Sequence, residues 1–145
     1  MQHLSAMDID WKRHIITLTE GSDARAAKRD ASFFPPVADS TISGWEAAHK
    51  IKIPVQFRSF LNQSNGLEAQ CGTMWPVLPF EDWETVSVDT QIPKILVRFG
   101  ERENCTFLFV PEMDGAIFLG SPEVPYVPFA PTFADFLETI FRGGH

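Results

Sequence analysis

Apolar positions repeat along this chain with two periods, and the change from one to the other divides the sequence. Leu4, Met7, Trp11, Ile15 and Leu18 fall three and four apart, the spacing of one helix face, and Gly21 offers a stop. Residues 22–41 break the period and read as a connecting segment, partly ordered by Phe33 and Phe34 before Pro35-Pro36. Ser43 and Glu46 have the spacing of a capping box, so a short helix carrying Trp45 and Ala48 is expected to start there. Pro54 suits the first turn of the next helix, because its fixed φ and missing N–H cost nothing there. Phe57, Phe60 and Leu61 share that helix's buried face, and Asn65-Gly66 supplies the left-handed residue to end it.

From Met74 the period shortens toward two. Trp75-Pro76-Val77-Leu78 reads as a short or edge strand, and Ile95, Val97 and Phe99 alternate with Leu96 and Arg98. Phe107 to Val110 and Ala116 to Leu119 are β-prone runs joined by the turn signal Met113-Asp114-Gly115. Thr132 and Asp135 then start a final helix with Phe133, Phe136, Leu137, Ile140 and Phe141 at helical spacing, closed by Gly143. The expected fold class is α+β: a single domain, residues 1–145, with a mostly antiparallel sheet packed against helices.

Composition is consistent with that pattern. A chain of 145 residues buries about 68–70% of its unfolded surface, enough for a core without cross-links. Thirteen phenylalanines and four tryptophans against one tyrosine make that core aromatic, and eleven prolines keep the elements short. No basic stretch followed by an apolar run opens the chain and no apolar run approaches ~20 residues, so neither a signal peptide nor a membrane span is expected. The expected location is the cytoplasm, with Cys71 and Cys105 as free thiols.

Charge changes the picture more. The net charge of −7 is uneven. Residues 1–65 hold seven acids and eight bases, whereas residues 66–145 hold twelve acids and four bases. Such a half discourages phosphate contacts, which need Lys and Arg clusters, so nucleic acid is not an expected partner. A basic protein is, although solubility alone accounts equally well for the charge.

No catalytic constellation stands out. His3, His14, His49 and His145 are scattered, and no CxxC, HExxH, GxSxG, P-loop or GxGxxG occurs. Neither a metal nor a cofactor is expected, and no residue is assigned to catalysis; His49 reads as a surface residue. The densest carboxylates, Glu81, Asp82 and Glu84, flank Trp83, with Asp89 nearby. Two readings stay open for them: a solvated loop, or a protein-recognition surface with Trp83 as aromatic anchor. Trp75 reads as core.

The segment Ile42 to Leu67, ISGWEAAHKIKIPVQFRSFLNQSNGL, resembles the signature region of the SUKH superfamily, which includes yeast cell-wall-synthesis regulators and many bacterial immunity proteins. The shared pieces are Glu46 on a short helix, Pro54 opening a second, the Phe57-Arg58-Ser59-Phe60-Leu61 stretch and Asn65-Gly66. Trp75-Pro76, Asp114-Gly115 and Thr132-Phe133-x-x-Phe136-Leu137 match more loosely. The long segment 22–41 and the lack of a Gly-Gly pair after Asn65 depart from the pattern. Each matching residue also has a structural reason, so Glu46, Pro54, Phe57, Phe60, Leu61, Asn65 and Gly66 are assigned to the fold. The resemblance implies a non-catalytic protein-binding domain: an immunity protein that neutralises a basic toxin domain, often a nuclease, or alternatively a regulatory or scaffold module without a toxin.

Overall fold

A computed structural model describes residues 9–20, 31–69, 74–87, 95–121 and 124–141. Helix α1 spans Trp11–Glu20, strand β1 Ala31–Phe33, helix α2 Asp39–His49 and helix α3 Val55–Leu61. Strands β2 Leu67–Ala69, β3 Met74–Val77, β4 Glu84–Ser87, β5 Ile95–Arg102, β6 Cys105–Val110, β7 Ala116–Ser121 and β8 Val124–Ala130 follow, and helix α4 spans Phe133–Phe141. Single 3₁₀ turns sit at Phe80–Asp82 and Pro111–Met113. This is the α+β arrangement the sequence pattern predicts.

All eight described strands form one sheet, and every described pairing in it is antiparallel. The order is β1-β2-β3-β5-β6-β7-β8, and β4 also pairs with β5. β5 therefore serves two partners on one edge: β3 opposite Glu101 and Arg102, and β4 opposite Ile95 to Arg98. Between the two, Leu78 N–H donates to the Phe99 carbonyl at 2.6 Å. The close approach requires Gly100, since a Cβ there would stand 2.3 Å from the Pro76 carbonyl oxygen. β3 is short as expected but interior, and its Pro76 is tolerated because β2 pairs irregularly there, Leu67 with Val77 and Ala69 with Met74.

The helices cover one face of the sheet. Trp11, Ile15 and Leu18 of α1, Phe57, Phe60 and Leu61 of α3, and Phe133, Phe136, Leu137, Ile140 and Phe141 of α4 pack on Val97, Phe99, Phe107, Phe109 and Ile117. Phe57 is the hub: its ring lies 4.4–6.2 Å from those of Phe109, Phe133, Phe99 and Trp83. Trp11 ties α1 to α3, its indole N–H donating to Ser59 Oγ at 2.9 Å. Leu96, Leu108 and Val110 form a smaller cluster with Val86, Phe118 and Tyr126.

Several expectations need correction. The helix predicted from Ser43 starts one turn earlier, at Asp39, so Ser43 and Glu46 lie inside it and form no capping box. Asn65-Gly66 does not end α3, which closes at Asn62 in ordinary helical geometry. Gly66, at φ +106°, instead turns the chain into β2. The connecting segment 22–41 contains β1 and the first residues of α2, because Phe33 and Ala31 find antiparallel partners in β2. Leu4, Met7, Gly21, Cys71, Asp89 and Gly143 lie outside the described residues. The Asp114-Gly115 turn forms as expected, with both residues at positive φ. At α4, Thr132 Oγ1 accepts the Asp135 N–H at 3.1 Å and donates to Asp135 Oδ2 at 2.9 Å.

Candidate functional site

The motif Glu46…Pro54…Arg58…Asn65 is a scaffold. Glu46 Oε2 accepts the Ile53 N–H at 2.8 Å, and its Oε1 accepts Arg58 Nη1 at 3.0 Å. Arg58 Nη2 also donates to Ser43 Oγ at 3.0 Å and pairs with Asp39 at 3.3 Å. One guanidinium thus joins the start and middle of α2 to α3, while Glu46 fixes the link between them.

Asn65 joins three further segments. Its N–H donates to the Pro35 carbonyl at 2.9 Å, its Oδ1 accepts the Phe80 N–H at 2.7 Å, and its Nδ2 donates to Glu81 Oε1 at 3.2 Å. The strap before α2 is pinned as well: Val37 N–H donates to the Leu61 carbonyl at 2.8 Å, and Asn62 Nδ2 to the Val37 carbonyl at 3.2 Å.

These anchors enclose an open groove of about 590 Å³, within the about 300–1,000 Å³ usual for ligand clefts. One wall is the strap Pro36 to Ala38, the second is α2 with Thr41, Trp45 and His49, and the third is the 3₁₀ turn with Phe80 and Glu81. His49 stacks on Trp45 at 4.1 Å, its Nδ1–H donating to the Trp45 carbonyl at 2.9 Å. Trp45 in turn lies 5.7 Å from Phe80. Among the described residues, Glu81 is the one carboxylate in the lining, and no lysine or arginine lines it.

The expected acidic surface is distributed differently. Glu81, Asp82 and Glu84 are exposed. Glu84, however, pairs with Arg98 at 3.4 Å, and that same guanidinium reaches Glu101 at 3.2 Å. Trp83 is no exposed anchor. It is 5% exposed, packs against Phe57, Phe80, Phe99 and Phe109, and donates its indole N–H to the Leu78 carbonyl at 2.9 Å. Pro79 turns the backbone so that the acids on either side of Trp83 point outward while the ring points in. Trp75, expected as core, is half-buried and stacks on Phe34 at 5.6 Å.

Sequence reading missed the aromatic residue that does face the groove, Trp45. Its helix was expected, but its neighbours Phe80 and Glu81 lie more than thirty residues away, and no periodicity reports such a contact. His49 is exposed, as expected. Among the described residues, no three His, Cys, Asp or Glu side chains gather as metal ligands would, and no helix is long and apolar enough to cross a membrane. Cys105 is a free, half-buried thiol.

No curated protein is similar enough to this chain to count as a match. Residues 36–139, which include the whole lining of the groove, match the SMI1 / KNR4 family (SUKH-1), and the chain belongs to that family.

Proposed function

We propose that this protein is a non-catalytic, cytoplasmic binding domain that acts as an immunity protein, occupying and neutralising a basic toxin domain. Its membership of the SMI1 / KNR4 family carries the reading, since that family supports a protein-interaction or immunity-type domain. Charge supplies the partner's sign: the −7 total is concentrated in residues 66–145, and the exposed Glu81 and Asp82 project from that half. A nuclease that grips phosphate is basic, and opposite charge speeds encounter by about 10- to 1,000-fold at low salt. Shape and charge suffice for such a role, with no proton transfer or covalent step.

Co-expression with the large reading frame beside this gene tests the reading. The expected result is that the neighbour's C-terminal domain arrests growth alone and fails to do so with this protein present. Arrest that persists despite a folded, abundant protein would overturn the immunity role.

A further inference from the structure

We propose that the groove between α2 and the Phe80–Asp82 turn seats an arginine side chain of the partner, presented between apolar residues on an extended basic segment. The inference rests on the protein-binding reading above and names its point of contact. Three observations carry it.

The first is charge. Glu81 is exposed and, among the described residues, is the groove's one carboxylate and meets no lysine or arginine in the lining. Asn65 holds its Oε1 at 3.2 Å, which orients the carboxylate while leaving lone pairs on both oxygens for an incoming donor. Arg58, the cation on the neighbouring helix, is already bound by Glu46, Ser43 and Asp39.

The second is the aromatic lining. Trp45 is held between His49 and Phe80, so its ring is ordered before any partner arrives. A guanidinium is planar and weakly hydrated, stacks on aromatic rings and forks onto a carboxylate; an ammonium offers charge without that shape. Aromatic wall plus oriented carboxylate therefore selects arginine over lysine.

The third is size. About 590 Å³ exceeds a single side chain, and the apolar strap at Pro36 and Val37 faces what flanks the arginine. A ligand of mixed charge and apolar surface fits; a polyanion does not, because Glu81 would repel it.

The test is a ¹⁵N NMR titration of the full chain with the blocked tripeptide Leu-Arg-Leu and with the same peptide carrying citrulline, which keeps the shape and drops the charge. The Trp45 indole and Asn65 side-chain amide signals are expected to shift with the arginine peptide, and to need about fivefold or more citrulline peptide for the same shift. Glu81→Gln, which preserves the Asn65 bond, is expected to weaken the arginine peptide about fivefold with Tm unchanged. Glu112→Gln, an equal loss of charge outside the groove, is expected to leave binding intact. No shift at 10 mM peptide, equal response to both peptides, or equal effects of the two variants would overturn the proposal. Co-expression protection is read separately: protection retained by Glu81→Gln alongside a failed titration defeats the groove and spares the immunity reading. A successful titration without protection does the reverse.

Discussion

Replacing Glu46 with alanine is expected to destabilise the fold by about 3 kcal/mol. Two interactions end on this carboxylate, the Ile53 N–H at 2.8 Å and Arg58 Nη1 at 3.0 Å. An exposed ion pair contributes only about 0.2–1 kcal/mol. This pair is less exposed, with side-chain accessibilities of 15% for Glu46 and 21% for Arg58, so a contribution of about 1 kcal/mol belongs to it. The greater part comes from the backbone. A hydrogen bond to a charged group contributes about 1.5–3 kcal/mol, and losing it leaves the Ile53 amide partly buried without its acceptor. Glu46→Gln can keep that amide bond while losing the ion pair, so it should cost about 1 kcal/mol. Urea unfolding followed by tryptophan fluorescence reads the difference. With a slope of about 1–3 kcal/mol per molar, the alanine midpoint should fall by about 1–2 M and the glutamine midpoint by less than half of that. Combined with Arg58→Ala in a double-mutant cycle, Glu46→Ala should show a coupling of about 1 kcal/mol. Equal costs for alanine and glutamine would refute this assignment, because the bond to Ile53 would then contribute little beside the ion pair.

Three other outcomes follow from the geometry. Gly66→Val should cost at least about 2 kcal/mol, because φ +106° disfavours a branched side chain and its Cβ would stand 3.1 Å from the Val77 carbonyl oxygen and the Pro79 nitrogen. Its thermal midpoint checks this. Trp83→Ala should cost about 3–5 kcal/mol, as expected for a large ring removed from a core, and leave a hydrophobic-dye-binding or unfolded protein in calorimetry; an unchanged Tm would mean the ring is not buried as described. Reversing Glu81, Asp82 and Glu84 to lysine should change stability by less than about 1 kcal/mol, since all three are exposed and the ion pair lost, from Glu84 to Arg98, is a surface pair. The same variant should associate with a basic partner about tenfold more slowly at low salt, a difference that shrinks as ionic strength rises.

How much was legible in advance varied with the range of the interaction. Period-3.6 spacing located α1 and α4, and alternation with a turn signal located the β6–β7 hairpin, because in each the partners are neighbours in sequence. The Thr132–Asp135 cap was readable for the same reason. The family motif was legible as a string, but two of its residues were given the wrong work. Glu46 looked like the end of a capping box because Ser43 lies three residues before it, yet its partners are Ile53 and Arg58, across a break between helices. Asn65-Gly66 looked like a helix stop, yet Asn65 connects the Pro35 carbonyl, the Phe80 amide and Glu81.

The sequence by itself determined the elements, the aromatic character of the core and the sign of the surface charge, since these depend on local propensity, side-chain area and counts of ionised groups. Tertiary structure decided which aromatic residues remain available. Trp83, amid three acids, turns inward because Phe57, Phe99 and Phe109 from distant elements create its site. Trp45, one apolar residue among others on its helix, faces a groove because Asn65 holds the strap and the Phe80–Asp82 turn around it. A sequence records which side chains are apolar; which of them finds a partner depends on contacts that close only when segments thirty or more residues apart pack together.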